Sequence, residues 1–253
     1  MHYLSFVLLF CFISMSAFGQ CKESVMASSA KDEERIPSTE IIRRSMTRIE
    51  FCEVLTEFQE IFKKDVAKRL NGSFSVKGYW ASSYPQAHAS QYPEAWTGTK
   101  PESYSIVVNG AVLNQNIRSK DSLRILLCHE LGHILLKKVY KFSKDKNLHV
   151  KPEGYADFFA TNYCIKKLND LAGLGMDSSE MRKAVYHFSL DNGLANSEAH
   201  FPEGQFDYSE NSKLVTEHPS SQCRYTTLVV GIENKQLKKA DLPNRLPRCW
   251  FKP

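Results

Sequence analysis

The sequence has no apolar run long enough to cross a bilayer. Its longest, Leu4 to Ile13, falls well short of the ~20 residues that a membrane-spanning helix needs, so no transmembrane segment is expected in the mature chain. There is no internal repeat and no low-complexity tract, which excludes repeat architectures. No Gly-Ser linker interrupts the residues beyond the first twenty, so a single domain is expected over 38–253. Nor is there a block of one charge sign. The formal net charge of +5 comes from 33 Lys and Arg against 28 Asp and Glu, and the basic residues are spread along the chain rather than gathered in a stripe. That distribution gives no reason to expect a nucleic-acid partner.

The apolar run at the start is followed by small residues, Ser16-Ala17-Phe18-Gly19, before Gln20. This is the pattern of a secretory signal peptide over 1–19, cut after Gly19, and it implies export to the periplasm or the medium. Lys and Arg are missing ahead of the run, where such peptides usually carry them. A lipid anchor on Cys21 is the rival reading, but it calls for a small residue just before the cysteine, and Gln20 is not small. After cleavage Cys21, Cys52, Cys128, Cys164, Cys223 and Cys249 remain. An even number in an oxidising compartment points to disulfides, and six cysteines allow fifteen pairings. The alternative for Cys128 and Cys164 is a pair of buried thiols on helices. Residues 20–37 are polar, with the run Lys31-Asp32-Glu33-Glu34-Arg35, and read as a flexible, solvated leader.

From 38 to 70 apolar residues recur at Ile42, Met46, Ile49, Val54, Phe58, Ile61, Phe62, Val66 and Leu70, the spacing of a long amphipathic helix stopped by Asn71-Gly72. Phe74 to Trp80 reads as a strand and 81–101 as a long irregular loop. Tyr104 to Val108 and Ala111 to Leu113 read as a second strand region broken at Asn109-Gly110. A helix is expected over Asp121–Lys138, with Ser119 or Asp121 capping its start. Another is expected from about 152 to 168, where Ala156, Phe159, Ala160, Tyr163 and Cys164 repeat on one face. Short helices are expected near 179–189 and 221–231. The fold class is α+β, with a small sheet and a helix pair.

The chemistry gathers in His129-Glu130-Leu131-Gly132-His133. Residues four apart lie on one helix face, so the two imidazoles can share one metal ion. Glu130 is turned about 100° from His129 by the helical repeat. Its carboxylate therefore falls beside the ion, where it can take a proton from a water that zinc has made acidic. The flanking residues are strongly apolar, so these polar groups are buried and need partners. Gly132 in mid-helix costs about 1 kcal/mol and implies a close approach there. Glu153 opens the next helix and is the third candidate ligand. Two His and one Glu leave a coordination position open, the catalytic rather than the structural zinc pattern. Asp157, one turn beyond Glu153, can accept the other ring N–H of His129.

HELGH followed by EGYAD resembles the HExxH…ExxAD pattern of the minimal gluzincin metallopeptidases of the HtpX and CAAX-prenyl-protease type. SIVVNGAVL is similar to the edge strand of that family, and His218-Pro219-Ser220 with Arg224 to its later HP…R segment. The likeness extends to secreted bacterial members that share CHELGH and a terminal CWFKP, here Cys249 to Pro253, and it covers roughly residues 75–253. It implies a zincin-like fold and one zinc per chain on His129, His133 and Glu153. It also implies Glu130 as general base, Asp157 behind a ligand, and His218 near the metal, either steadying the oxyanion or capping the site. A polypeptide substrate would add to the edge strand along Tyr104, Ser105, Ile106, Val107 and Val108. The function so implied is endoproteolysis of extracytoplasmic proteins. If His218 caps the metal, the same chain is instead a self-inhibited or chaperone-like zinc protein. His88, His149, His187 and His200 match no motif of the family. The chain departs from HtpX and the prenyl proteases in lacking membrane-spanning helices.

Overall fold

The computed structural model describes residues 21–26, 45–82, 86–92, 102–115, 117, 119–139, 152–189 and 221–233. The signal-peptide reading, most of the leader, His149, His200, His218 and Cys249 lie outside these residues. Helix α1 spans Arg48–Leu70. It begins ten residues later than the apolar spacing implied, because Thr47 and Glu50 form a capping box. The Glu50 N–H donates to Thr47 Oγ1 at 3.2 Å and the Thr47 N–H to Glu50 Oε2 at 2.9 Å. Ile49, assigned to the buried stripe by its spacing, is instead 65% exposed. Asn71 ends the helix in the left-handed region, with φ 52°.

Strands β1 (Gly72–Tyr79), β2 (Ala87–Tyr92) and β3 (Glu102–Asn109) form one mixed sheet in the order β1-β3-β2. β3 pairs parallel with β1 and antiparallel with β2, so that Val76, Ile106 and Ala89 stand side by side. Three expectations are corrected here. The stretch read as an irregular loop contains β2, whose Ala, His and Ser residues have weak strand preference and are held by pairing with β3. In addition, Tyr104, Ser105, Ile106, Val107 and Val108 lie on the central strand. Both main-chain edges of β3 are already paired, and four of these five residues are buried, so no peptide can add to it. The Ala111–Leu113 strand is likewise replaced, by a turn at Gly110 and the short helix α2 (Val112–Gln115).

Helix α3 spans Lys120–Val139, and the Ser122 N–H donates to Ser119 Oγ at its start. Helix α4 (Pro152–Phe159) runs into a π-helical segment, Ala160–Cys164, in which the Ile165 N–H reaches back to the Ala160 carbonyl. Then follow α5 (Ile165–Ala172), α6 (Ser178–Ser189) and α7 (Ser221–Glu233). One apolar core joins residues from Val25 to Ile232. A buried ion pair ties α3 to α1: the Arg124 Nε and Nη2 donate to the Glu57 carboxylate at 3.0 and 3.1 Å. Glu57 and Asp121 together raise Arg124 against the effect of burial.

Two disulfides are formed, Cys21–Cys52 and Cys128–Cys164, and Cys223 is also disulfide-bonded. The first bridge fixes the start of the expected leader. Residues 21–26 lie along α1, with the Lys22 N–H on Thr56 Oγ1, and Met26 pairs with Gly78 at the edge of β1. A Cys21 sulfur bonded to Cys52 cannot carry a lipid thioether, which removes the rival reading at that residue. Among the described residues no helix is long and apolar enough to cross a membrane.

Candidate metal centre

Helix α3 supplies His129, Glu130 and His133, and α4 supplies Glu153 and Asp157. The His129 and His133 Nε2 atoms lie 3.0 Å apart. Glu153 Oε2 is 3.2 Å from the first and Glu153 Oε1 is 3.3 Å from the second. All three ligand atoms lie within 4.8 Å of one another, so the group can hold a metal ion. Zinc bonds of about 2.0–2.2 Å to His nitrogen and carboxylate oxygen put neighbouring tetrahedral donors about 3.3–3.4 Å apart. The two imidazole nitrogens stand a few tenths of an ångström inside that edge, and the Glu153 carboxylate reaches each of them with a different oxygen; a two-nitrogen, one-oxygen set suits zinc better than calcium or magnesium.

The helices meet closely because Gly132 has no side chain. A Cβ there would lie 2.8 Å from Ala156 Cα, which is the close approach the mid-helix glycine implied. One turn away on α3, Cys128 is bonded to Cys164 rather than free or turned to the metal.

Behind the ligands, Asp157 is fully buried and lies 2.8 Å from His129 Nδ1. That contact keeps a proton on Nδ1, so that Nε2, on the side of Glu153 and His133, is the nitrogen that would ligate a metal once its own proton is lost. Arg224, on α7, grips the same carboxylate in a two-pronged contact, Nε to Oδ2 at 2.7 Å and Nη2 to Oδ1 at 2.8 Å. Its Nη2 also comes within 3.4 Å of His129 Nδ1. Both are donors aimed at Asp157 Oδ1, so we read no bond between them. Burial alone would raise Asp157, but the Arg224 charge and His129 hold it below its ordinary value. Burial would lower His129, yet Asp157 and Glu153 hold it up at about 9 in the metal-free chain. Glu153 is drawn well below the usual carboxylate range by the two imidazoles, again against burial. Glu130 is buried and has no hydrogen-bond partner among the described residues.

The structure therefore brings together His129, His133, Glu153 and Asp157, and buries Glu130 next to His129 on α3. His218 lies outside the described residues. Sequence reasoning gave Arg224 no role. The HP…R resemblance named the residue without saying what it touches; a buried Asp157 needs a counter-charge, and nothing in the spacing says which cation supplies it. Compared with known proteins, the chain matches no protein-family model, no curated protein and no solved structure.

Proposed function

We propose that the chain is a zinc metallopeptidase of the gluzincin type, an endopeptidase acting on extracytoplasmic polypeptides. The observation that carries this reading is the convergence of His129, His133 and Glu153 from two helices, with a buried carboxylate, Glu130, next to His129 on the same helix. A purely structural zinc site has no use for such a base. When bound, zinc supplies a Lewis acid and brings the pKa of water towards 7. Glu130 then accepts the proton of the attacking water and passes it to the departing amide nitrogen. Asp157, held by Arg224, keeps the His129 proton on Nδ1 throughout. Two bridges and a third bonded cysteine are compatible with an exported protein.

Peptide binding by strand addition falls to β2. It ends the sheet, packs near α3, and carries no further strand on its outer edge among the described residues. Pairing there reads the peptide main chain, so cleavage preference is broad. The test is one preparation of oxidised protein assayed for bound zinc and for casein hydrolysis, beside Glu130→Gln. The variant should keep its zinc and lose at least ~100-fold in rate. Equal rates in the two proteins would rule out Glu130 as the base, and a zinc-loaded wild type inert on unfolded polypeptides would rule out the peptidase.

A further inference from the structure

We infer that the Cys128–Cys164 bridge is a positioning element of the metal centre, holding the two ligand-bearing helices at the separation that lets His129, His133 and Glu153 share one ion. This rests on the metal-centre reading above. Cys128 directly precedes His129 on α3, and Cys164 closes the π segment that continues α4, the helix of Glu153 and Asp157. Both sulfurs belong to fully buried residues. On α3, Cys128 and Gly132 are four apart and form one stripe, while His129 and His133 form the next, about 100° round. The first stripe is the one that meets α4 and its continuation: Gly132 against the Ala156 backbone, Cys128 bonded to Cys164. Two such contacts fix both the spacing and the crossing of the helices, where the glycine contact alone would leave a pivot. The two imidazole nitrogens are 3.0 Å apart and the Glu153 carboxylate lies within 3.3 Å of each, and a site of this kind loses its geometry when its support loosens by about 1 Å.

The second bridge is a matched control. Cys21–Cys52 spans 31 residues and Cys128–Cys164 spans 36, so their loop-closure effects on the unfolded chain are nearly equal. Cys21–Cys52 joins the N-terminal segment to α1 and lies on neither ligand-bearing helix. The oxidised wild type, Cys128→Ala/Cys164→Ala and Cys21→Ala/Cys52→Ala are titrated with Zn2+ against a competing chelating dye. Cobalt absorption reports the coordination, and urea midpoints are recorded in parallel. Zinc affinity should fall at least tenfold in the first variant and stay within twofold of wild type in the second, while their urea midpoints fall alike. Wild-type affinity in the first variant, or equal losses in both, overturns the inference.

If the first variant does not fold, the wild type carries the test, since an ion shared by the two helices holds them together and hinders the local opening that exposes the buried bridge between them. A water-soluble phosphine reduces a disulfide to two thiols and becomes the phosphine oxide, taking its oxygen from water. Alkylation and mass spectrometry then show which bridge opened. Zinc should slow opening of Cys128–Cys164 at least tenfold and leave Cys21–Cys52 unchanged; equal protection of both, or of neither, overturns the inference. A wild type that takes up no zinc sinks the metal reading and this inference together. A zinc-binding wild type with an unaffected first variant sinks the inference alone.

Discussion

Arg224 reaches one candidate ligand from behind, its Nη2 3.4 Å from His129 Nδ1, and the state of that ring depends on it. Its guanidinium and the His129 ring share the Asp157 carboxylate, which is fully buried. Remove the cation and an isolated carboxylate remains in an apolar setting, where it costs several kcal/mol or takes up a proton. Arg224→Met should therefore weaken zinc binding by about 10- to 100-fold, the range for partners standing behind a ligand. Arg224→Lys keeps the charge without the planar fork and should fall between. Competitive zinc titration measures the loss, and the His129 Nδ1–H resonance should shift or broaden with it. An unchanged affinity in Arg224→Met would show that Asp157 holds the ring unaided. At this scale the sequence was readable wherever periodicity spoke. His129 and His133 share a face by their spacing, Glu130 is turned from it, and Gly132 announced a neighbour. Arg224 was not readable, because it lies 67 residues from Asp157 and only the docking of α7 brings them together.

At the scale of elements, α1 is tied to the π segment and α5 through Asp65. Its carboxylate accepts from Tyr163 Oη at 2.8 Å and pairs with Lys167, while Arg69 reaches the same tyrosine oxygen. Burial would raise Asp65, but Lys167 and Tyr163 outweigh it and hold the group below its ordinary value. A carboxyl lowered by folding stabilises the chain above its unfolded pKa of about 3.9, and that contribution disappears as pH falls through the lower folded value. Wild type should thus exceed Asp65→Asn in urea stability at pH 7, with the gap closing below about pH 4. A gap that persists at pH 2 would point to packing rather than charge. Element types were largely legible, as with the two ligand-bearing helices, whose apolar repeats are strong. Boundaries were less so. The Thr47–Glu50 capping box stood in the sequence, but apolar residues upstream at Ile42 and Met46 carried the periodicity past it. β2 was illegible because its strand character comes from β3, and this also hid the true order of the sheet.

For the whole molecule, an ion held by His129, His133 and Glu153 would link metal binding to folding. Zinc at a hundredfold excess over its dissociation constant adds about 2.7 kcal/mol to the folded state. In a chain of this size each kcal/mol moves Tm by about 2–4 °C. Chelation should therefore lower Tm by roughly 5–10 °C in the oxidised protein, reversibly on adding zinc back. A Tm indifferent to chelator would mean that no ion is held in the folded state. Calorimetry with and without chelator decides this independently of any activity assay.

Helix α7 shows how far this linkage reaches. Gly231 lies seven residues, two turns, from Arg224 and sits hard against the π segment. A Cβ there would collide with Thr161 Oγ1, and the Gly231 carbonyl is gripped by Lys166 and Asn162. The helix works as a lever, seated on a bare backbone at one end and holding a carboxylate at the other. A position with no chemistry of its own, two turns from Arg224, thereby bears on the aim of an imidazole on a different helix.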